Sequence, residues 1–179
     1  MARPAMPADL TTAPARAEDL PEISRLHGRC FGPGRFARTA YRVREGAPDI
    51  SPYCAVARSS GVLLAAIRYT EIRIGDRGGA LLLGPLAVDQ GFAGAGIGVR
   101  LIRESMASAL AAGESFVLLV GDMSYYGRFG FKPAPAGQIT LPGPVDPARL
   151  LGCDLVEGDM TTRRGPVVAA RRRNEDGVR

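Results

Sequence analysis

A glycine-rich segment at residues 84–99, with the sequence GPLAVDQGFAGAGIGV, holds the residues of this chain best suited to bind an anion. The apolar run Ala80–Val88 is typical of a strand, and a helical pattern begins near Gly96. The first N–H groups of a helix have no partner inside the helix, and the helix dipole adds partial positive charge there. Glycines remove the Cβ atoms that would keep an anion from the backbone. The segment therefore predicts a site for a phosphorylated ligand.

The spacing of these glycines excludes one known phosphate motif and weakens another. Gly91 and Gly96 have the separation of a P-loop, but isoleucine and glycine follow where Lys and Ser or Thr are needed. Lys132 is the only lysine in the chain. A dinucleotide fingerprint opened by Gly94 and Gly96 needs a third glycine where Val99 stands. A Rossmann-type nucleotide binder therefore remains only as an alternative.

A second segment, YYGRFGF at residues 125–131, forms a recognisable pattern together with AGAGIG at residues 93–98. The two segments resemble the GCN5-related N-acetyltransferases, the GNAT family. The pyrophosphate loop of that family has Gln or Arg, two residues, Gly, one residue, then Gly or Ala, and further on a Tyr precedes a Gly-Phe pair by four residues. The strings VGD at residues 120–122 and FARTA at residues 36–40 are similar to the YhbS-like subgroup of predicted N-acetyltransferases. The resemblance covers residues 14–133 well and the remainder loosely.

The resemblance implies an α/β (α+β) fold with a mixed, mostly antiparallel sheet, helices on both faces and a splayed central strand pair. It implies acetyl-CoA as the acetyl donor, no metal, and direct transfer to a primary amine of a small molecule or a protein. In the family, strand backbone groups bond the pantetheine arm and loop amides hold the pyrophosphate. The corresponding residues here are Leu86, Ala87, Val88, Ala93, Gly94, Ala95, Gly96, Ile97, Gly98 and Val99.

Two loop positions depart from the family pattern. Ala93 stands where Gln or Arg is usual, and Ala95 replaces a frequent Arg or Lys. Both changes remove side-chain donors and leave backbone N–H groups as the main phosphate contacts. A non-catalytic CoA-binding or regulatory module is therefore an alternative to an enzyme.

The resemblance also assigns a catalytic tyrosine. Tyr126 aligns with the tyrosine that protonates or hydrogen-bonds the departing thiolate, and a phenol with a pKa of ~10 suits a thiolate of comparable basicity. Tyr125 is expected to contact the cofactor, and it is the neighbouring catalytic candidate if the helix is rotated. Arg128 could reach a cofactor phosphate.

The candidates for a general base are Glu71, midway along a predicted strand, and Asp122, at the end of an apolar run. Asp122 imitates the ribose-binding acid of a dinucleotide fold, but its position directly before a short helix predicts an N-cap. A water chain to bulk solvent could replace both side chains.

Other polar residues suggest a nucleophile or an acceptor site. His27 and Cys30 lie three residues apart, so a Cys–His nucleophile is conceivable, but an amphipathic helix explains both residues. With one histidine and no paired cysteines, the sequence shows no metal-ligand spacing. Four arginines lie where the resembled family builds part of its acceptor pocket: Arg35, Arg38, Arg42 and Arg44. They favour an acceptor with an anionic group beside its amine.

The composition is that of one globular domain. Of the 179 residues 46% are hydrophobic, and no apolar run reaches the ~20 residues of a membrane span. We expect one domain over residues 1–173, with residues 1–7 loose and a disordered tail at 174–179. Three scattered cysteines and the lack of a signal core predict a cytoplasmic protein. We expect the excess positive charge to be solvated rather than bound to nucleic acid, and a homodimer is compatible with the sequence.

Periodicity and turn residues predict the elements that would position these groups. Strands are predicted at residues 11–16, 53–57, 62–74, 80–88, 116–120 and 166–170. Helices are predicted from Asp19 to residue 30 and at residues 35–45, 96–112 and 123–129, with an irregular region at 132–155. A bulge is expected at Gly84-Pro85, because proline cannot donate to a sheet. The inward residues of the helix at 96–112 are expected to be Val99, Ile102, Met106, Ala109 and Leu110.

Overall fold

The computed structural model describes residues 4–32 and 39–170. Within those ranges the chain forms nine strands and five α-helices. The strands are β1 (Thr11–Pro14), β2 (Ala55–Ser59), β3 (Val62–Ile74), β4 (Arg77–Val88), β5 (Phe116–Val120), β6 (Lys132–Pro133), β7 (Ile139–Thr140), β8 (Leu150–Asp154) and β9 (Gly165–Ala169). The α-helices are α1 (Leu20–Phe31), α2 (Thr39–Val43), α3 (Ile97–Ala111), α4 (Met123–Tyr126) and α5 (Asp159–Thr162).

The strands form a mixed sheet in the order β1-β2-β3-β4-β5-β8-β6, and β9 pairs with β3 and β7. Neighbouring strands are antiparallel apart from two parallel pairs, β4 with β5 and β7 with β9. This confirms the mixed, mostly antiparallel sheet that the sequence predicts.

Helices cover both faces of the sheet because the β3 side chains alternate between two cores. Ala65 and Ile67 pack with Leu101 of α3 in one buried cluster. Ala66, between them, packs with Leu26 of α1 in another cluster. Successive side chains of a strand point to opposite faces, so α3 and α1 lie on opposite sides of β3.

The pairing of β4 with β5 stops early. It covers three residue pairs, which end at Leu82 with Leu118. Beyond that point β4 stays paired with β3, and β5 stays paired with β8. A gap therefore opens between residues 83–88 and residues 119–121, and it is the splayed central strand pair that the sequence predicts.

A bulge lies in β4 where the gap begins. The register sets Gly84 and Pro85 together opposite Arg68 alone. Gly84 has a φ of +120°, a region that favours glycine. The predicted bulge at Gly84-Pro85 is therefore confirmed.

The inward face of α3 differs from the prediction. Leu101 and Ser105 are buried, whereas Leu110, expected to be buried, is 48% exposed. Ser105 donates to the Leu101 carbonyl at 2.6 Å, and its hydroxyl lies 2.9 Å from that of Tyr69. These bonds satisfy the serine inside the core, so its polarity was a misleading signal for the helix phase.

Most other elements lie within a few residues of their predicted bounds, and β3 and β5 match them. The predicted irregular region is wrong in part, because it contains β6, β7 and β8. The proline before β8, Pro147, ends the loop rather than interrupting the strand. Of the helix predicted at residues 35–45, the structure shows α2. Residues 35–38 and the predicted tail at 174–179 lie outside the described residues.

Candidate active site

The backbone of β4 turns the polar groups of every second residue toward the gap. The Asp89 N–H donates to the Leu64 carbonyl of β3 at 2.7 Å. Because these directions alternate along an antiparallel strand, Ala87 also points its backbone groups at β3. The N–H and C=O groups of Leu86 and Val88 then point away from β3, into the gap. Both residues can bond an extended chain placed there, as an added strand would.

The gap leads to a cradle of backbone N–H groups at the start of α3. Gly94 and Gly96 have φ values of +86° and +92°, which favour glycine. Within the described ranges, five N–H groups donate no hydrogen bond: those of Gly94, Gly96, Ile97, Gly98 and Val99. These residues line a cavity of about 260 Å³ at the positive end of the helix dipole. The arrangement suits an anion with several oxygens, such as a pyrophosphate.

Tyr125 of α4 borders this cradle. A Cβ on Gly98 would lie 3.1 Å from the Tyr125 hydroxyl oxygen, so the absent side chain permits this close approach. The Arg128 guanidinium lies 5.0 Å from the centre of the Tyr125 ring, and its Nε donates to the Tyr125 carbonyl at 3.0 Å. Burial raises the pKa of Tyr125. The hydroxyl therefore stays protonated at neutral pH, and it can donate a hydrogen bond into the cavity.

Tyr126 lies at the base of the gap rather than at the cradle. Its ring packs in the cluster of Leu83 and Leu119, the first residues beyond the β4–β5 pairing. The Phe131 ring meets it at 5.8 Å in an edge-on contact. The Tyr126 hydroxyl donates no hydrogen bond to any of the described residues, and burial raises the pKa of Tyr126 to about 12. This phenol is therefore neutral and available to donate.

The two predicted acids lie in different places. Asp122 is at the N-cap position of α4, as predicted, but its side chain makes no capping bond. Its carboxylate is instead 69% exposed and pairs with Arg149 Nε at 3.2 Å. Glu71 pairs with Leu81 of β4, at a level where β4 is still paired with β5 and the gap has not yet opened. It is four residues, or about 13 Å of strand, from Ile67, the residue opposite Leu86.

The contacts of His27 and Cys30 argue against a Cys–His nucleophile. The Cys30 thiol donates to the Val88 carbonyl at 3.4 Å, and burial followed by the Asp89 charge raises its pKa. The His27 ring stacks at an angle on Phe31, with centroids 6.0 Å apart. A thiol held in its protonated form is a poor nucleophile.

A second cavity of about 250 Å³ lies on the α1 face of β3. Its polar lining consists of Ser24, His27, Tyr41, Asp49 and Arg68. Sequence reasoning missed Arg68. The one sequence feature related to Arg68 was the predicted bulge, which the strand register places opposite it.

The predicted acceptor arginines divide between different surroundings. Arg44 is 6% exposed and lies beside the bulge. Arg42 is exposed and approaches the loop at Gly143. Arg35 and Arg38 lie outside the described residues.

The model of the acetyltransferase (GNAT) family matches residues 20–131, which is more than half of the chain. The chain belongs to the GNAT family. A relative, the uncharacterized N-acetyltransferase YjhQ of Escherichia coli K12, is 30% identical over 129 residues, which cover 70% of this chain and 71% of YjhQ.

Two solved GNAT structures resemble this GNAT protein. The acetyltransferase YhbS from Escherichia coli, in complex with CoA, has a TM-score of 0.77 and 23% identity, covering 99% of this chain and 98% of that one. At that identity the likeness shows the fold. A GNAT acetyltransferase from Brucella melitensis, in complex with acetyl-CoA, has a TM-score of 0.59 and 28% identity, covering 79% and 94%.

The two alanines of the GNAT loop have different surroundings. Ala93 is exposed, whereas Ala95 is half-buried against the α3 core. Neither alanine can donate from its side chain, so the cradle relies on the backbone and on Arg128. The predicted contact residues of the loop and of β4 thus follow one another along one gap, but Ala87 turns its backbone groups toward β3 and not into the gap.

The described ranges show neither a metal-ion site nor a membrane-spanning helix. They contain no group of three or more His, Cys, Asp or Glu residues arranged to hold a metal ion. No helix in them combines the length and apolarity needed to cross a membrane. The cytoplasmic location, the lack of nucleic-acid partners, the oligomeric state and the boundaries of the single domain stay predictions.

Proposed function

We propose that this protein transfers an acetyl group from acetyl-CoA to a primary amine, by direct attack of the amine in a ternary complex. The observation that supports this most is a continuous path. The unused N–H groups of the cradle lie at one end, the backbone groups of Leu86 and Val88 that point away from β3 lie in the middle, and the bulge lies at the other end. Pyrophosphate, pantetheine arm and thioester follow one another in CoA in that order. The complexes of two GNAT relatives with CoA and acetyl-CoA point the same way.

The residues along the path fit those chemical parts. The amides from Gly94 to Val99 would hold the pyrophosphate, and the missing side chain of Gly98 lets Tyr125 approach the start of α3. Leu86 and Val88 would bond the amide groups of the pantetheine arm. When bound, acetyl-CoA supplies the activated acetyl group at the end of the path near the bulge.

Two groups would stabilise charge that develops during transfer. Attack by the amine nitrogen places negative charge on the acetyl oxygen, and the C–S bond then breaks to release a thiolate. The Leu86 N–H, the gap-facing amide nearest the bulge, can bond that oxygen. Tyr126, at the base of the gap, can donate to the sulfur.

The sequence leaves Tyr126 two possible roles, to protonate the thiolate or to hydrogen-bond it, and its raised pKa favours the second. A phenol with a pKa of about 12 is a weaker acid than a thiol, so it does not readily give its proton to a thiolate. We therefore propose that Tyr126 donates a hydrogen bond to the thiolate, and that solvent supplies the proton.

Water is the base that best fits the surroundings of the gap. Asp122 is exposed and paired with Arg149, and Glu71 is three residues, or about 10 Å of strand, from Arg68, the residue opposite the bulge. Water would therefore take the proton from the amine, and neither carboxylate would act as the base.

A thermal shift followed by a thiol-release assay tests the function. Acetyl-CoA at one hundred times its dissociation constant should stabilise the fold by about 2.7 kcal/mol, and NAD at the same concentration should not. Thiol release from acetyl-CoA should then depend on an added amine. An unchanged melting temperature across millimolar acetyl-CoA would remove the cofactor from the proposal.

A non-catalytic CoA-binding module is the second candidate, and Ala93 and Ala95 favour it. Without side-chain donors in the loop, the cofactor is held by the backbone and Arg128. Such a module would show the acetyl-CoA thermal shift and no thiol release over a broad amine panel.

A further inference from the structure

Arg44 is a buried cation that has no anionic partner among the described residues. It follows α2 directly and is 6% exposed. Its buried Nε lacks a hydrogen-bond partner, and the guanidinium forms no ion pair or hydrogen bond with any residue in the described ranges. Its nearest charge-compensating contact is the Tyr41 ring, whose centre lies 5.2 Å from Cζ. A buried charge left in this way is costly, which suggests that another group completes the site.

Arg44 lies at the bulge of β4. Its Nη2 is 3.5 Å from the position that a Cβ on Gly84 would occupy. The bulge is the end of the proposed cofactor path at which the acetyl group would lie. The guanidinium is therefore beside the place where an acceptor amine must approach.

A second guanidinium shares this position. Arg68 stands opposite Gly84 and Pro85 in the sheet register, and its buried Nε also has no hydrogen-bond partner. Its Nη2 donates to the Pro48 carbonyl at 3.1 Å and lies 3.4 Å from the Asp49 carboxylate, which is 72% exposed. The only carboxylate that pairs with either arginine among the described residues is thus Asp49, which is largely solvated and contacts Arg68.

The cavity of about 250 Å³ opens onto Arg68 and onto the Tyr41 ring that lies beside Arg44. Burial and then the charge of Arg68 lower the pKa of Arg44 to about 10, so the guanidinium remains charged at neutral pH. The site thus combines a small cavity, two guanidinium cations and the Nε–H donors of both, which have no hydrogen-bond partner.

We propose that Arg44 and Arg68 bind an anionic group of the acceptor, which is therefore a small amine with a carboxylate or phosphonate close to its amino group. This inference rests on the proposed acetyl transfer. A planar guanidinium matches the oxygens of either anion. Held at the bulge, the anion would place an amine one or two carbon atoms away beside the end of the cofactor path.

The test compares acceptors that differ only in the anionic group. L-phenylalanine with phenethylamine and L-histidine with histamine form carboxylate pairs, and the 1-aminoalkylphosphonate analogues form the second arm. We expect wild-type kcat/KM to be about 10- to 100-fold higher for the anionic member, the worth of one charge-assisted hydrogen bond. The arm with the larger ratio identifies the anion.

Arg44→Met should remove that ratio, because kcat/KM should fall far more for the anionic member than for its uncharged analogue. Its melting temperature should not fall, because an unpaired buried charge is replaced by an apolar chain. Arg44→Lys should retain part of the ratio. Arg103→Gln, on the exposed face of α3, removes one positive charge elsewhere and should keep the full ratio. If Arg44→Met does not fold, Arg68→Met is measured in the same way.

Equal wild-type rates on both members of every pair, or an equal loss on both in Arg44→Met, would overturn the proposal. Acetyl-CoA could raise the melting temperature while no amine causes thiol release from it. The transferase function then fails, and a binding assay tests whether Arg44 and Arg68 bind an anion. Inorganic phosphate is then added at constant ionic strength with the cradle saturated by CoA. A thermal shift in wild type that Arg44→Met loses supports the site, and equal shifts refute it.

Discussion

A single charge placed in the cradle would test whether Gly96 borders the pyrophosphate site. Gly96 precedes α3 with a φ of +92°, a conformation that Asn and Asp tolerate better than other side chains. Gly96→Asn and Gly96→Asp have nearly the same shape and impose the same backbone strain. The difference between them is therefore one negative charge beside the free N–H groups.

The size of the effect follows from Coulomb's law. A carboxylate about 6 Å from one unit of phosphate charge costs about 2.8 kcal/mol at an effective dielectric constant of about 20, and about 0.7 kcal/mol in bulk water. Gly96 is half-buried, so we expect a value between these limits. The acetyl-CoA dissociation constant should be about 10- to 30-fold higher for Gly96→Asp than for Gly96→Asn.

The stability of the two variants should change in the opposite direction. A carboxylate near a helix N-terminus is favourable by about 0.3–1 kcal/mol, so the apo form of Gly96→Asp should melt at or above Gly96→Asn. Weaker binding in the more stable variant cannot come from misfolding.

Calorimetric titration with acetyl-CoA at low and high salt measures the difference, which should shrink at high salt because the phosphate charge is screened. A matched control is available at the other end of α3. Gly113 has a φ of +91° and open space around it, so Gly113→Asn and Gly113→Asp should bind acetyl-CoA equally. If the two Gly96 variants also bind equally at low salt, the start of α3 is not the phosphate site.

Three further predictions concern catalysis, packing and pH. Tyr126→Phe should lower kcat for thiol release by about 10- to 100-fold with little change in acetyl-CoA affinity, whereas Tyr125→Phe should mainly weaken affinity; the reverse pattern would exchange their roles. In urea unfolding, Leu101→Ala should cost about 2–5 kcal/mol and Leu110→Ala less than about 0.5 kcal/mol, and similar losses would contradict the phase of α3. Burial, opposed by the Tyr53 hydroxyl, raises the pKa of Glu114, so its contribution to stability is greatest below about pH 4.5 and is lost as the pH rises through the raised value. Glu114→Gln should flatten that decline in melting temperature, and an unchanged pH profile would refute the assignment.

The sequence was most informative where local chemistry decides the structure. The bulge at Gly84-Pro85 follows from a proline that cannot donate, and the two β-rich runs at residues 62–74 and 116–120 are strands with the predicted bounds. The glycines of the loop predicted the cradle because each one removes a side chain near the start of a helix. These features depend on a few neighbouring residues, so no long-range contact had to be known.

The errors arose where partners distant in sequence decide the structure. Ser105 is buried because Tyr69 of β3 meets it inside the core. Strand β8 forms because β5 offers it a full edge, although its own sequence follows a proline-containing loop. Arg68 lies in a predicted strand, and only the register with β4 shows that it faces the bulge.

The bulge connects the two halves of the proposed reaction. It lies where β4 parts from β5, so the backbone beyond it is free to bond the pantetheine arm. At the bulge the Arg44 guanidinium lies against the strand, with its Nη2 3.5 Å from the position that a Cβ on Gly84 would occupy. A cofactor bound along the strand and an anion bound by Arg44 would therefore be aligned by one piece of backbone. Direct transfer requires that alignment, because the amine and the thioester must meet without a covalent enzyme intermediate to hold the acetyl group.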